Sequence, residues 1–277
     1  MNPRVRQATV WIPLGLLLLA GAAINLVPFL WTLSTSLKVP SQVFSYPPTW
    51  IPHPIKWDNY RIAFNQVGGR AFLNSFIFAG SIVILQGLVT TMGGFAFARL
   101  KFPFRNQLFL LYLGTMMIPP QVTLIPTFII VVKLHWINTY QGLIVPIVAQ
   151  GAFGTFMFRQ FFMKIPNDIY ESARIDGANP WQMYWKLTLP LSRPVLTAYG
   201  VITFLSAWNM YLWPLVVIRS DKLQVVPMQI AQLSGANGLD RGVVMAAVSL
   251  SILPILILWF IGQRWFVEGI AMTGMKG

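Results

Sequence analysis

Phe72 to Ala98 reads FLNSFIFAGSIVILQGLVTTMGGFAFA, without a single Asp, Glu, Lys or Arg. About 20 helical residues cross a hydrocarbon core of about 30 Å, so an uncharged apolar run of this length predicts a membrane-spanning helix. Five further runs of the same kind lie on either side of it: Trp11 to Leu37, Gln107 to Val132, Tyr140 to Phe158, Val195 to Ile218 and Val243 to Gln263. The expected fold is an all-α integral membrane protein with six transmembrane helices, forming a single domain over residues 1–277. Composition agrees: 56% of residues are hydrophobic and 10% charged, against about 25% charged in soluble domains.

The first run follows Arg4 and Arg6, as a signal peptide would, but it continues through Leu33 and is too long for an ordinary signal segment. An uncleaved span is expected. The net charge of +13 then reads as topology rather than as affinity for nucleic acid. With both termini in the cytoplasm, twelve Lys and Arg fall inside and eight outside, the asymmetry that retained basic residues produce. The absence of cysteine excludes disulfides, thiol catalysis and cysteine-ligated metal.

Two loops stand out. Lys38 to Arg70 is rich in proline and aromatic residues and is expected to be an extended or turn-rich external segment. Arg159 to Pro194 is expected in the cytoplasm. Within the third span, Pro119, Pro120 and Pro126 remove backbone donors, so the helix must bend or open there, as a packed kink or beside a transport path.

The loop from Arg159 to Pro194 holds the most specific pattern. Asp168 is placed to cap a short helix, with Glu171 three residues on, and Gly177 suits the left-handed position that ends one. Asn179, Pro180 and Gln182 fit the cap, first and third positions of a second helix that stops before Pro190. The product is a helix–glycine–helix elbow with a swivel at Gly177. On these features alone the first reading is an interfacial amphipathic helix pair, such as many membrane proteins have.

The residues themselves carry a resemblance. Glu171-Ser172-Ala173, Asp176-Gly177-Ala178 and Leu187-Thr188-Leu189-Pro190 resemble, in order and spacing, the EAA motif of ABC importer permeases. Ser172 stands where the pattern usually has a second alanine. Phe97 to Pro103, Trp208-Asn209 with Trp213-Pro214-Leu215, and the ending Phe266 to Ile270 with Met275-Lys276-Gly277 are similar to the carbohydrate branch, particularly the maltose-type permeases. Met210 departs from the acidic residue often found there.

The resemblance implies a permease subunit of an ATP-binding-cassette importer in the bacterial inner membrane, moving a sugar or polyol. It implies a second homologous permease, a dimer of cytoplasmic ATPase subunits that bind ATP and Mg, and an extracytoplasmic solute-binding protein. The elbow residues Glu171, Ser172, Ala173, Asp176, Gly177, Ala178, Leu187 and Pro190 would couple this chain to an ATPase. No phosphate-binding loop occurs in the chain itself, so no catalytic, cofactor or metal site is expected here.

Amide and aromatic side chains suit the hydroxyls and faces of sugars, which makes Gln121, Gln150, Trp208, Asn209, Tyr211 and Trp213 candidates for the substrate path. Each amide could instead bond a neighbouring helix. A glycerol phosphate or another small solute is the alternative cargo, although no span carries Arg or Lys. An ion-coupled carrier would place acidic residues or histidine in the membrane; here all seven acidic residues and both histidines lie outside the six runs.

Overall fold

The computed structural model describes the backbone of residues 3–235 and 240–274, with side chains for 13–235, 240–261 and 263. Of the expected tail pattern, the side chains of Phe266 to Ile270 and all of Met275 to Gly277 lie outside the described residues. The described residues form helices and no strand. In chain order these are α1 (Pro3–Ser36), α2 (Pro40–Val43), α3 (Asp58–Val67), α4 (Gly69–Arg99), α5 (Arg105–Gly114), α6 (Pro120–Lys133), α7 (Tyr140–Ala149) and α8 (Ala152–Lys164). They continue with α9 (Asn167–Ile175), α10 (Pro180–Gln182), α11 (Leu189–Leu191), α12 (Arg193–Trp208), α13 (Leu212–Val217), α14 (Val226–Gly235) and α15 (Arg241–Gly274). Contacts divide the chain into two compact units, residues 1–68 with 230–253, and residues 69–229 with 254–277.

In the first unit, α1 supplies an apolar stretch from Pro13 to Ser36 that is long enough to cross a membrane. Its C-terminal end is tied to α3 through buried Asn59, whose amide donates to Ser36 O at 2.9 Å and Lys38 O at 3.0 Å. Ser36 and Tyr60 share a hydroxyl pair at 2.7 Å, and Lys56 pairs with Asp240 at 3.1 Å. The expectation of an extended or turn-rich backbone from Lys38 to Arg70 holds only in part. The proline-bearing stretch after Val43 is irregular, but Asp58–Val67 contains no proline and is helical.

The second unit is built on α4, against which α7, α8 and α12 pack. Glycines set the closest approaches: a Cβ at Gly94 would stand 2.7 Å from Phe158 Cβ and 3.0 Å from Arg159 N on α8. At Gly154 it would meet the Tyr199 ring of α12 at 2.6 Å. Small residues at such points let helix backbones pack closely in a membrane. One buried cluster forms around Phe78, Ile82, Leu143 and Trp208, a second around Phe95, Phe158, Phe162, Tyr170 and Tyr184.

Three helices, Pro13–Ser36, Gly69–Arg99 and Arg241–Ile261, have the length and apolarity of membrane spans, and two bent pairs raise the number to five. The third expected span breaks as its prolines require: α5 and α6 meet at 99°, with Pro119 and Pro120 at the corner. The fourth also breaks, by 46° at Gln150-Gly151 between α7 and α8. The fifth is α12, 16 residues long, interrupted at Asn209–Tyr211 before α13. At 1.5 Å per residue, α12 alone reaches about 24 Å and falls short of the hydrocarbon thickness.

Replacing glycine by alanine inside a helix stabilises it by up to about 1 kcal/mol where space allows, whereas overpacking costs about 1–3 kcal/mol. Gly87, also on α4, has nothing within 4 Å of a built Cβ. Gly94→Ala should therefore lower the melting midpoint of the detergent-solubilised chain, while Gly87→Ala leaves it unchanged or higher. Equal midpoints would show that the α4–α8 contact yields without cost.

Candidate coupling elbow and transport cavity

The elbow begins one turn after α8. Proline 166 precedes α9, so Asp168 sits in the first turn and accepts nothing as a cap; its carbonyl instead receives the Ser172 hydroxyl at 2.8 Å. The expected capping role of Asp168 is thus corrected. Gly177 lies at φ +80°, the left-handed position that ends α9, where a side chain would be strained. Asn179 and Gln182 close a full capping box, with bonds of 2.9 and 3.0 Å.

The second half does not stop before Pro190. After α10 the chain widens into a π-helix at Met183–Thr188 and runs on through Pro190 in α11. Proline collides with the carbonyl four residues back and cannot donate to it; wider winding moves that carbonyl aside and lets the helix continue.

The two halves are also joined, which removes the swivel read at Gly177. Tyr170 of α9 bonds Thr188 at 2.9 Å, and Ala178 N returns to Ala173 O at 2.9 Å. The assembly is fastened to α4 at two points. Tyr184 pairs with Thr91 at 2.7 Å. Burial pushes the Tyr184 phenol above its ordinary pKa while the Thr91 bond pulls the other way, so the group stays protonated near neutrality. Arg99, in the last turn of α4, donates to the Phe162 and Ile165 carbonyls and to Asn167 Oδ1 at 2.6 Å, and its guanidinium lies 4.2 Å above the Tyr170 ring. Sequence reading gave Arg99 no part in the elbow; it counted there among the basic residues that set topology and within the family-like segment Phe97 to Pro103.

The opposite face is free among the described residues. Glu171, Ser172, Asp176, Gly177 and Pro190 are exposed, with Ala173, Ala178 and Leu187 half-buried. Ile175 is 87% and Trp181 57% exposed.

A cavity of about 250 Å³ opens between α6, α7 and α13, lined by Pro120, Gln121, Thr123, Leu124, Thr127, Ile147, Gln150, Met210, Leu212 and Trp213. A second, of about 180 Å³, shares Ile147, Gln150 and Met210 with it and adds Gln86, Phe153, Tyr199, Thr203 and Ser206 among others. The first cavity receives residues from all three helix breaks: Pro120 and Gln121 after the α5–α6 corner, Gln150 at the α7–α8 bend, and Met210 and Leu212 at the interruption of the fifth run. Neither lining contains Asp, Glu, Lys, Arg or His.

Gln121, Gln150 and Trp213 therefore come together. Trp213 is nevertheless held, its indole donating to Leu143 O at 3.1 Å. Trp208 is buried against Phe76 and Phe204; Asn209 ends α12 and donates back to Leu205 O at 2.9 Å; Tyr211 is exposed. None of these three lines either cavity. The hydroxyls of Thr123, Thr127, Thr203 and Ser206 were not singled out, though their spacings of four and three residues place each pair on one helix face.

Residues 90–271 match the family model of the binding-protein-dependent transport system inner membrane component. The chain belongs to this family. It is an inner-membrane permease subunit of an ABC importer. Similar curated proteins include the sn-glycerol-3-phosphate transport system permease protein UgpE of Yersinia pestis, 35% identical over 92% of this chain and 94% of its own. The protein of that name from Pectobacterium atrosepticum is 38% identical over 83% and 84%. In fold, the permease resembles a chain of a bacterial ABC transporter involved in import of the acidic polysaccharide alginate. Its TM-score is 0.81 at 23% identity, covering 94% of this chain and 98% of that one. A chain from an alginate transporter in complex with a pentasaccharide-bound periplasmic protein superimposes at 0.63 and 18% identity, over 95% of each.

Hydrogen bonds from a charged donor contribute about 1.5–3 kcal/mol. Replacing Arg99 in the permease by methionine should speed amide exchange across Asn167–Ile175 by ~10-fold or more, with exchange in α4 unchanged. Unchanged exchange in α9 would show that burial of Tyr170 alone holds the elbow.

Proposed function

We propose that this permease moves an uncharged sugar or polyol, along a path that passes the cavity where its three broken helices meet. The convergence of those breaks carries the reading. Irregular backbone at membrane depth is tolerated only inside protein or against a wet cavity, and here it borders amides, hydroxyls and a tryptophan edge without a charged group. Such a lining exchanges hydrogen bonds with sugar hydroxyls and offers no positive charge to balance a phosphate or carboxylate.

Counting each broken run as one crossing, with α12 and α13 together as the fifth, gives six crossings. An even number puts both termini on the same side, taken as cytoplasmic from the basic residues. The elbow from Glu171 to Pro190 then faces the cytoplasm and docks on one of a pair of ATPase subunits, which bind ATP with Mg and hydrolyse it. The exposed Glu171, Ile175 and Trp181 beside a capped, doubly fastened helix pair support this role. Closure of the ATPases pushes the elbow, and the bonds to Arg99 and Thr91 pass the push to α4. A second homologous permease completes the path and an extracytoplasmic solute-binding protein delivers the cargo.

Glycerol phosphate is the second reading, favoured by the names of the relatives at 35–38% identity. It requires the anionic charge to be read by loop residues of this chain or by another subunit. Ligand screening of the solute-binding protein that co-purifies with the tagged permease decides between them: retention of a neutral sugar or polyol supports the first reading, and retention of sn-glycerol 3-phosphate alone overturns it.

Glu171→Lys reverses charge on the docking face, and Gly177→Pro imposes a φ near −65° where +80° is needed. Both should abolish uptake while the protein still inserts in the membrane. Normal uptake with either one would sink the coupling role.

A further inference from the structure

The segment between α1 and α3 behaves unlike a water-exposed loop. From Val39 to Ile55 it has no Asp, Glu, Lys or Arg, yet its large apolar side chains point outward. Phe44 is 82%, Tyr46 95% and Ile51 83% exposed, with Trp50, Ile55 and Trp57 also exposed. Exposed apolar groups gathered in this way mark a surface that meets something other than water.

Its bonds fix where that surface lies. Trp50 packs edge-on against Trp31 at 5.1 Å, and the Ser34 hydroxyl donates to the Trp50 carbonyl. Lys56 N donates to Leu37 O at 2.9 Å, while the Gln42 amide donates to the His53 carbonyl and closes the loop on itself. The segment is therefore folded back along the last turns of α1 instead of projecting beyond them. Trp31 and Ser34 belong to the apolar stretch Pro13–Ser36. Trp31 is five residues from that end, or about 7.5 Å along the axis. The cation nearest the membrane is withdrawn: Lys38 is fully buried, with its ammonium 4.0 Å above the Trp31 ring.

We infer that the face formed by Phe44, Tyr46, Trp50, Ile51, Ile55 and Trp57 is seated in the interfacial layer of the bilayer at the C-terminal end of α1. The partner is lipid. The apolar stretch Pro13–Ser36 has 24 residues, about 36 Å of helix against a hydrocarbon core of about 30 Å, so a loop folded back on its last turns lies at the boundary between hydrocarbon and headgroups. Tryptophan and tyrosine are the residues that settle there. Charged side chains are absent from Val39 to Ile55 and begin only at Lys56 and Asp58, at the edge of the face beside Trp57. The segment thus acts as an anchor that fixes the depth and tilt of α1.

The chain has no cysteine, so Ile51→Cys and Phe44→Cys each give a single labelling site. Both are exposed positions whose replacement leaves the packing intact. The full chain, with the subunits that accompany it, is spin-labelled and placed in vesicles of phosphatidylethanolamine and phosphatidylglycerol. Ile24→Cys, exposed in the middle of the stretch Pro13–Ser36, serves as the depth reference. Seating in the interface predicts that both labels collide more often with oxygen than with a water-soluble nickel chelate, at a depth shallower than the Ile24 label. Collision dominated by nickel would place the loop in water and overturn the proposal. Exclusion of both relaxants would mean that a protein, such as a neighbouring subunit, covers the face, and would overturn it equally.

Discussion

A backbone carbonyl that loses its helical partner in hydrocarbon must find a donor within the protein, and one side chain, Gln86, meets this demand at the centre of the permease. Its amide nitrogen donates to Ile147 O at 2.8 Å and Gln150 O at 3.3 Å, both carbonyls at the bend between α7 and α8. Its oxygen accepts the Tyr199 hydroxyl of α12 at 3.0 Å. A single glutamine on the unbroken α4 thereby supports the broken fourth run and locates α12 beside it. Ile147 O also accepts Gln150 N at 3.1 Å, and a freed carbonyl left with no donor at all costs a kilocalorie or more per mole.

The same logic operates at the elbow, with backbone winding in place of a side chain. Pro190 would break an α-helix, and the π-turn before it keeps the second half continuous with α12's approach. Continuity matters because a push is transmitted by stiff connections and absorbed by loose ones. Tyr170–Thr188 and Tyr184–Thr91 make the elbow and α4 one body, and α4 also holds Gln86. On the proposed function, a displacement of the elbow would be delivered along this one helix to the residue that supports the cavity wall.

How much of this was legible depended on the range of the interaction. The six apolar runs were plain, since their signal is composition summed over some twenty residues. The bend at Pro119-Pro120 and the left-handed Gly177 were plain too, because proline and glycine act on their own backbone. The capping box at Asn179 was readable for the same reason. The break at Gln150-Gly151 was not: no proline marks it, and the donor that makes it affordable is 61 residues away from Ile147 in the sequence. The swivel at Gly177 failed on a similar count, because Tyr170 and Thr188 meet only once the elbow has folded. Among the substrate candidates, residue type selected Trp208, but the core took it; Thr123 and Thr127 were passed over because a threonine on a helix usually bonds its own preceding turn.

The uncharged wall bears on what kind of machine this half-path belongs to. A carrier that couples to ions needs titratable groups at membrane depth, since those groups read the ion. The cavities of this chain contain amides, hydroxyls and a thioether, which bind cargo without registering proton or cation state. On the proposed function, the energy for moving solute arrives mechanically from the ATPase subunits, and the elbow, fastened to α4 through Tyr184 and Arg99, is the handle that would receive it.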